Sequence, residues 1–598
     1  MRADSVKADT LRAPLARAEA PRLPEVNGGW EWNRDEILSS GAVTLGELLE
    51  RLPGAVRFRP SWIHSPETVS FLGDAGAVRV FLDGIELDEL DPRNGAVKVL
   101  EGIPIWSLEQ VRVERGAREL RVHLRSWRYD RTIPFTRVDV GTGDETTNLY
   151  RGFFGRRYHN GGALQVGLQQ FSTADPRTGL QGANAGGRSL ELMVRTGWAR
   201  GPWSIDATAM QDGRTRNPEI AYTTRTLGGE RILGAPVADS IPALRETNRT
   251  AYVRGAYGDP ESGPWLQTIA SVQRFRESTG QDTTRQRPFR MVPNGNGSFG
   301  VTGPPDTTRS LSEYVIAGGL TRWGARLSAT SRTRVFEGLT TTTPSARAEF
   351  DTRFGGVTAR AERNGLTHAA TVEAGLRAAP LSWLAAAAVA ERTQGANDGT
   401  PSGNAARGEL GVRHHGAWIS AGGLYRDSTL AAVPLVYYSD ARPGAANRLP
   451  LRLAVSGARG AFVSVRGKLY RDAGLDASVT RWSSADLFRP QYEARTEIFL
   501  RTRWLSRFPK GEFALNATLI HEFRSTTPWP RGVSTEAGVG LTDTRGSQAL
   551  SSLIELHIRS AYITWQYRNF LGVNYALVPG YLMPHKTNLY GVRWEFFN

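Results

Sequence analysis

The sequence predicts a small N-terminal α+β domain followed by an all-β transmembrane barrel of about 22 antiparallel strands. Three features of the 598-residue chain lead to this prediction. A helix and several short strand patterns precede Thr136, and from there onward apolar and charged residues alternate in segment after segment. The connections between these segments alternate between short and long, as in bacterial membrane barrels.

Residues 1–40 are rich in Ala, Arg, Pro and Glu and show no periodicity. A segment of this composition cannot bury a core, so we interpret it as a flexible periplasmic tail. The start at Met1 lacks the apolar stretch of a signal peptide, and a barrel of this kind must first be secreted. We therefore expect a signal peptide to have been removed.

Two helical segments are predicted before the barrel. In the first, Thr44–Leu52, Thr44 caps the helix and Glu47 completes a capping box. The second is a single turn that begins at Ser107, with Gln110 three residues later. Four leucines share one face of the first helix and are predicted to lie in the core: Leu45, Leu48, Leu49 and Leu52.

Two short alternating runs, Val78–Leu82 and Val111–Glu114, have the period of half-buried strands. Asp83-Gly84 follows the first run, where a two-residue hairpin turn favours left-handed residues. Asp91–Gly95 contains proline, asparagine and glycine and predicts a second turn.

The segment Tyr492–Trp504 shows the barrel pattern most clearly. Side chains predicted to face lipid are Tyr492, Ala494, Thr496, Ile498, Leu500, Thr502 and Trp504, and those predicted to face the lumen are Glu493, Arg495, Glu497, Phe499, Arg501 and Arg503. A soluble sheet would carry mixed polar residues on its open face, whereas repeated Arg and Glu indicate a wet barrel interior. Tryptophans at strand ends predict an interfacial girdle: Trp198, Trp203, Trp504, Trp565 and Trp594.

The connections also suit a barrel. Short links are predicted at Ala199–Pro202, Asp259–Pro264, Arg322–Gly324, Gly355-Gly356, Ala378–Pro380, Ala458–Gly460 and Ser506–Lys510. Longer links are predicted at Ser172–Gly187, Gly213–Glu246, Glu277–Arg309, Thr393–Asn404, Asp427–Arg448, Asp472–Pro490 and Ser525–Gln548. Short periplasmic turns and long outer loops distinguish the two ends of such barrels.

The formal charge of +15 is spread along alternate strand positions, whereas a nucleic-acid-binding protein needs a clustered basic patch. We therefore predict no nucleic-acid partner. The chain has no cysteine, which suits an oxidising envelope. No nucleophile elbow and no metal-ligand spacing occurs, so we predict no catalytic residue, no metal and no cofactor.

Four strings in order resemble the plug domain of TonB-dependent outer-membrane receptors: Leu45–Gly54, Val69–Gly73, Val80–Ile85 and Ile103–Gly116. The resemblance implies a plug over residues 41–132 that stoppers a barrel over residues 133–598. It assigns these residues to the plug motif: Leu82, Asp83, Gly84, Ile103, Pro104, Glu109, Val111, Val113, Arg115 and Gly116.

The end of the chain also resembles this family, in its closing loop from Asn569 and its last strand. The resemblance implies that the last strand is the signal to the barrel-assembly machinery, carried by Tyr590, Val592, Trp594, Phe596 and Phe597.

Within the tail, a short string loosely resembles a TonB box, the segment that TonB pairs with by adding a strand. Its residues are Asp9, Thr10, Leu11, Arg12 and Ala13. The family pattern has an apolar residue where Arg12 stands, so an ordinary linker is an alternative interpretation.

The resemblance implies a non-enzymatic outer-membrane receptor that takes up a scarce ligand of the siderophore, cobalamin, glycan or peptide class. Its partners would be TonB, outer-membrane lipid and lipopolysaccharide. The alternative is a plugged barrel with a structural or surface-binding role and no energised transport. The imperfect TonB box and the Arg- and Trp-rich stretch Ala117–Arg131, where the family has a Gly-rich run, favour that alternative.

Overall fold

The computed structural model describes residues 25–26, 29–87, 100–174, 186–217, 219–227, 230–241, 244–278, 290–293, 299–302, 307–336, 338–396, 401–434, 452–534 and 538–597. The TonB-box candidate and the turn predicted at Asp91–Gly95 lie outside these residues. Within the described part of the chain, no helix is long and apolar enough to cross a membrane.

A five-stranded mixed sheet forms the N-terminal domain. The elements of this domain are β1 Trp30–Asn33, α1 Arg34–Ser39, α2 Leu45–Leu49, β2 Ala55–Phe58, β3 Thr68–Phe71, β4 Val78–Leu82, β5 Ile85–Leu87, β6 Leu108–Arg115 and β7 Leu120–Ser126. The strand order in the sheet is β1-β6-β7-β4-β5, and β2 and β3 form a separate hairpin. Leu45, Leu48, Leu49 and Leu52 are all buried in the core of this domain, as their spacing predicts.

The tail predicted for residues 1–40 is too long, because residues 30–39 belong to the folded domain. The strand β1 pairs with β6 along its whole length, from Trp30 opposite Val113 to Asn33 opposite Gln110. Asn33 then caps α1 in a complete capping box with Glu36. Trp30 and Trp32 are buried and alternate with exposed polar residues, which is the pattern of a half-buried strand. The overall composition of residues 1–40 does not reveal this short pattern.

Both predicted capping boxes need correction. Helix α2 ends at Leu49, and the Thr44 side chain makes no capping hydrogen bond. The Glu47 carboxylate accepts from Val43 N at 2.9 Å and otherwise faces arginines, which compete for the same oxygens. At the second site a 3₁₀ turn covers Ile105–Ser107 and therefore precedes the predicted start, and the Ser107 hydroxyl donates back to Pro104 O.

The barrel is closed and contains 22 strands among the described residues, each antiparallel to its neighbours. They are β8 Phe135–Gly143, β9 Thr147–Arg157, β10 Gly162–Thr173, β11 Gly187–Arg200, β12 Trp203–Arg216, β15 Leu244–Asp259, β16 Ser262–Ser278, β19 Thr307–Arg322, β20 Ala325–Phe336, β21 Leu339–Thr352, β22 Gly355–Arg363, β23 Ala370–Leu381, β24 Leu384–Gln394, β25 Gly403–His414, β26 Gly416–Arg426, β29 Ala458–Tyr470, β30 Ala473–Trp482, β31 Tyr492–Thr502, β32 Phe513–Arg524, β35 Ser547–Ile558, β36 Ala561–Arg568 and β37 Thr587–Phe597. The predicted fold class and strand number are confirmed.

One end of the barrel carries the longer connections and the other carries mostly tight turns. Four of the longer connections contain hairpins of their own, made by β13 Glu219–Leu227 with β14 Glu230–Ile241, β17 Arg290–Pro293 with β18 Phe299–Thr302, β27 Thr429–Ala432 with β28 Arg452–Val455, and β33 Thr527–Ser534 with β34 Gly538–Thr544. The first and last barrel strands begin and end at the tight-turn end, where Phe135 pairs with Phe597. Both ends of the barrel chain therefore lie at the tight-turn end.

Three predicted short links and one long link are wrong. Gly355-Gly356 lies at the start of β22, and the chain turns at 353–354. Ala378–Pro380 lies within β23, where the pairing with β24 is irregular, and the chain turns at 382–383. Ala458–Gly460 lies within β29, and the chain turns at 471–472, so β30 occupies the first half of the predicted link Asp472–Pro490. Gly460 serves packing instead of turning, because a Cβ there would lie 2.5 Å from the Trp482 ring.

The alternation predicted in the barrel strands is confirmed by their exposure. In β31, Ile498 is 54% exposed on the outer surface, whereas the neighbouring Glu497 is 1% exposed and faces the interior. The five tryptophans of the predicted girdle are all exposed on the outer surface. The barrel thus presents apolar side chains outward and encloses charged ones against the N-terminal domain.

Candidate functional site

The hairpin between β4 and β5 is the point of the N-terminal domain that is most closely tied to the barrel. Asp83 and Gly84 form its turn, with φ of 52° and 91°, as the sequence predicts for a turn of this type. The Asp83 carboxylate is buried and accepts hydrogen bonds from both the backbone N–H, at 3.1 Å, and the hydroxyl of Ser126 on β7. The turn is therefore held in shape by its own sheet.

The same carboxylate also binds the barrel wall. Asp83 Oδ2 accepts from Arg195 Nη2 at 2.9 Å and from the Tyr252 hydroxyl at 2.6 Å, and Arg254 Nη2 donates to the Asp83 carbonyl at 2.6 Å. Burial alone would raise the pKa of Asp83, but the charges of Arg195, Arg254 and Arg128 outweigh it and hold the pKa below its ordinary value. Asp83 is therefore charged at neutral pH and links the plug strand β7 to the barrel strands β11 and β15.

A second contact forms at the end of β6. Arg115 Nη2 donates to Glu409 on β25 at 2.8 Å and to Glu25 at 2.9 Å, and all three side chains are buried. Arg407 Nη2 donates to the Arg115 carbonyl at 2.8 Å, and Val26 N donates to Glu409 at 2.8 Å. The segment that leads from the tail into the domain thus meets the end of β6 at the barrel wall.

The neighbouring arginine, Arg121, continues this belt of ion pairs around the sheet. It donates to Glu373 on β23 at 2.5 Å and to Glu114 at 2.9 Å, and Glu114 in turn accepts from Arg347 on β21 at 2.7 Å. A Cβ at Gly116 would lie 2.5 Å from Glu373 Oε2. Glycine is therefore needed there because the barrel carboxylate approaches the domain's backbone.

A third cluster surrounds α2. Glu47 pairs with Arg57 at 3.2 Å, with Arg59 at 3.2 Å and with Arg568 on β36 at 2.6 Å. Burial would raise the pKa of Glu47, but Arg568, Arg59 and Arg57 hold it well below its ordinary value. Glu67 is also within 3.5 Å of both plug arginines, so the cluster carries several charges of each sign.

One carboxyl beside this cluster behaves in the opposite way. Burial, together with the nearby Glu522 on β32, raises the pKa of Glu50 to about 8, although Arg57 Nε lies 2.7 Å from it. Glu50, Arg57 and Glu522 line two small cavities, of about 60 and 50 Å³. Glu50 therefore keeps its proton at neutral pH inside a polar interface.

The β2–β3 hairpin lies at the end of the barrel that carries the longer connections. Phe58 packs edge-on against Trp529, with ring centroids 5.0 Å apart, and Phe488 packs against both rings. Nearby, Asp74 accepts from Ala432 N at 2.9 Å. The outer tips of the domain are thus in direct contact with at least three connections of the barrel.

The predicted plug motif falls on the contact regions and on the sheet core. Asp83, Gly84, Arg115 and Gly116 lie at the barrel contacts. Leu82, Ile103, Val111 and Val113 are buried in the sheet core, Pro104 precedes the 3₁₀ turn, and Glu109 accepts from Arg128 N at 3.3 Å. Tyr590, Val592, Trp594, Phe596 and Phe597 lie on β37, which closes the barrel against β8.

The sequence does not identify the barrel partners of these residues. They are inward-facing side chains of alternating strands: Arg195, Tyr252, Arg254, Arg347, Glu373, Arg407, Glu409 and Arg568. The alternation marks them as lumen residues, but it contains no signal for which plug residue each one meets. Among the described residues, no group of three His, Cys, Asp or Glu is arranged to hold a metal ion.

Together these features define a membrane barrel stoppered by a plug that is held by buried ion pairs. No family model and no curated protein matches the sequence. Solved structures do match the fold over almost the whole chain. The FrpB iron transporter from Neisseria meningitidis is 10% identical, with a TM-score of 0.69 over 95% of this chain and 99% of that one.

Two further structures agree. A mutant of the ferric enterobactin receptor PfeA from Pseudomonas aeruginosa is 11% identical, with a TM-score of 0.66 over 97% of this chain and 100% of that one. The siderophore receptor PirA from Acinetobacter baumannii is 8% identical, with a TM-score of 0.67 over 95% and 98%. The chain therefore shares the fold of these proteins, a closed 22-strand barrel with an N-terminal domain.

Proposed function

We propose that the protein is a TonB-dependent receptor that takes up a scarce ligand across the outer membrane, and that the ligand is an iron chelate. The iron chelate is preferred to cobalamin, glycan or peptide because the similar structures are named as an iron transporter and siderophore receptors. The charged plug–barrel interface supports movement of the plug, because charged groups that separate regain hydration, whereas apolar groups that separate are exposed to water at a cost.

The observation that carries this proposal is the position of Glu25. Its carboxylate lies between Arg115 of the plug and Arg407 of the barrel, at 2.9 and 3.3 Å. Glu25 follows the tail that contains the TonB-box candidate. Among the described residues, a pull on that tail would reach Glu25 first and so act on the pairing between Arg115 and Glu409.

The alternative of a structural barrel without transport loses one of its supports. The Arg- and Trp-rich stretch after Gly116 contains β7, which lies at the centre of the plug sheet and pairs with both β4 and β6. Leu120, Val122 and Leu124 are buried there. The departure from the family sequence therefore leaves the plug sheet complete.

The test uses the tail. TonB would pair with its backbone, so Leu11→Pro, which removes a donor, should abolish ligand-dependent growth under iron limitation. Leu11→Ala keeps the donor and should support normal growth, and deletion of residues 1–20 should behave like the proline variant. Barrel assembly is checked by faster migration of the unboiled protein in SDS gels. Undiminished uptake in both the proline and deletion variants would favour the structural role.

A further inference from the structure

Five arginines project from one part of the outer surface of the barrel, close to the end with long connections. They are Arg188 on β11, Arg245 and Arg249 on β15, and Arg274 and Arg276 on β16, and all five are exposed. Strand register places each at an outward position, because each shares parity with exposed apolar residues of its strand, such as Val253 on β15 and Val272 on β16.

The register also brings the arginines together. Arg249 lies directly opposite Arg274, and the same row continues to Gln211 on β12 and Ser310 on β19. Across four adjacent strands the patch is roughly 14 Å wide. Like charges directly opposite on paired strands destabilise a sheet unless an anion lies between them.

The described outer surface of these strands does not supply that anion. In the outer halves of β11, β12, β15, β16 and β19, no described outward position is acidic. Arg249 Nε donates to Gln211 Oε1 at 3.0 Å, which leaves its charge in place. The carboxylates of Glu191 and Glu313 on these strands point to the interior.

The patch lies at the height of lipid head groups. On β12 and β15 the outward residues below it are apolar down to Trp203 and Tyr257, whose rings are 4.8 Å apart near the tight-turn end. The stretch from Arg249 to Tyr257 spans roughly 20 Å of barrel height after allowance for strand tilt. This height is close to the lipid-facing band of such barrels, which puts the arginines at its outer boundary.

We propose that these five arginines form a binding site for the phosphorylated glycolipid of the outer leaflet. One guanidinium group can donate two parallel hydrogen bonds to the oxygens of one phosphate. The apolar band directly below would receive the acyl chains of the same molecule. A protein or nucleic-acid partner could supply negative charge to the arginines, but it would not cover the apolar band below them. The site depends on the outer-membrane orientation of the barrel and not on ligand uptake.

A matched pair of arginines provides the control. Arg459 on β29 and Arg481 on β30 also lie outward at the outer end, but each faces a tyrosine ring of a neighbouring strand, at 5.6 Å in both cases. Removing them changes the net charge of the protein by the same amount as removing Arg249 and Arg274. It does so on another part of the barrel wall.

The experiment measures binding of diphosphorylated lipid A to the detergent-purified full chain by native mass spectrometry. The double variant Arg249→Gln/Arg274→Gln should bind at least about tenfold more weakly than the unaltered protein. The double variant Arg459→Gln/Arg481→Gln should stay within about twofold, since it leaves the site intact. Lipid A stripped of both phosphates should bind the unaltered protein as weakly as intact lipid A binds the first variant.

Faster migration of the unboiled variants in SDS gels shows that both barrels have assembled. Three results would overturn the proposal: equal losses in the two double variants, equal binding of phosphorylated and stripped lipid A, or no lipid bound by the unaltered chain. Loss of growth on iron chelates with normal lipid binding would refute the uptake function alone.

Discussion

Asp83 of the plug and Arg195 of the barrel form a buried ion pair, with Oδ2 and Nη2 2.9 Å apart. The carboxylate lies in a turn of the plug sheet, and the guanidinium lies on β11. Arg195 also contacts the Asp206 carboxylate, but at 3.7 Å, so Asp83 is its closer partner. Loss of the Asp83 charge would leave the guanidinium poorly compensated inside the barrel.

Asp83→Asn should therefore loosen the plug while the barrel stays assembled. Breaking a buried pair from one side costs on the order of 3 kcal/mol, most of it from the remaining charge. We expect faster hydrogen exchange of the β4 and β5 amides, measured by mass spectrometry. Asp130→Asn, at an exposed carboxylate of the same domain, is the control and should exchange like the unaltered protein. Equal exchange in all three proteins would show that the pair does not hold the plug.

Lipid-face substitutions should depend on depth. Val253 is 48% exposed near the middle of β15, so Val253→Arg should cost about 2–4 kcal/mol of unfolding free energy. Leu500 is also exposed, but it lies close to the tight-turn end of β31, and Leu500→Arg should cost about 1 kcal/mol or less. Arg501→Leu alters an inward-facing position and serves as the reference for the opposite face. Urea titration in lipid vesicles measures all three, and a larger cost for Leu500→Arg would contradict this placement.

Gly116→Ala should weaken the contact between the plug and β23. The added methyl would lie 2.5 Å from Glu373 Oε2 and 3.0 Å from Glu119 O, so the carboxylate that receives Arg121 must move. A cost of about 1–3 kcal/mol is expected, as for other overpacked sites. Gly152→Ala is the control, since nothing lies within 4 Å of the position that its added methyl would take on β9. Similar thermal stability of the two variants would contradict the clash.

The sequence is sufficient to predict the barrel because its signal is repeated. Alternation in strands such as β31 identifies the lipid face without knowledge of any neighbour, and each further strand shows the pattern again. Single glycines are less informative: at Gly460 the composition predicts a turn, although the residue makes room for Trp482 within a strand. The two roles require the same residue, so composition alone does not separate them.

The site is only half predictable. Asp83 and Arg115 stand in strings that resemble the plug family, and the structure places both at barrel contacts. Their partners Arg195 and Glu409 stand more than 100 residues later, at inward positions that look like many others. Which arginine meets which carboxylate depends on how the plug is rotated within the barrel, and a strand pattern has no information on that rotation. Glu25 falls in the predicted flexible tail because its contacts with Arg115 and Arg407 likewise leave no pattern in the sequence.

The pH dependence of plug stability should be governed partly by Glu50. Burial, reinforced by Glu522, raises its pKa to about 8, so the folded protein keeps a proton that the unfolded chain releases near the ordinary pKa of glutamate. The contribution of this proton to the free energy of unfolding is fully present below the pKa of Glu50 in the unfolded chain. It is lost as pH rises through about 8, the pKa of Glu50 in the folded protein. The resistance of the plug to urea should therefore fall between roughly pH 6 and pH 9, a range that includes the folded pKa and lies above the unfolded one.

Glu50→Gln keeps the shape of the neutral side chain and cannot release a proton, so its resistance to urea should change less over the same pH range. Asp83 and Glu47 do not produce this effect, because their lowered pKa values make their contribution constant at neutral pH and lost only in acid. Plug unfolding can be followed by protease cleavage while the barrel stays folded in SDS gels. An identical pH profile for Glu50→Gln and the unaltered protein would show that another group is responsible, and a profile that rises with pH would contradict the raised pKa of Glu50.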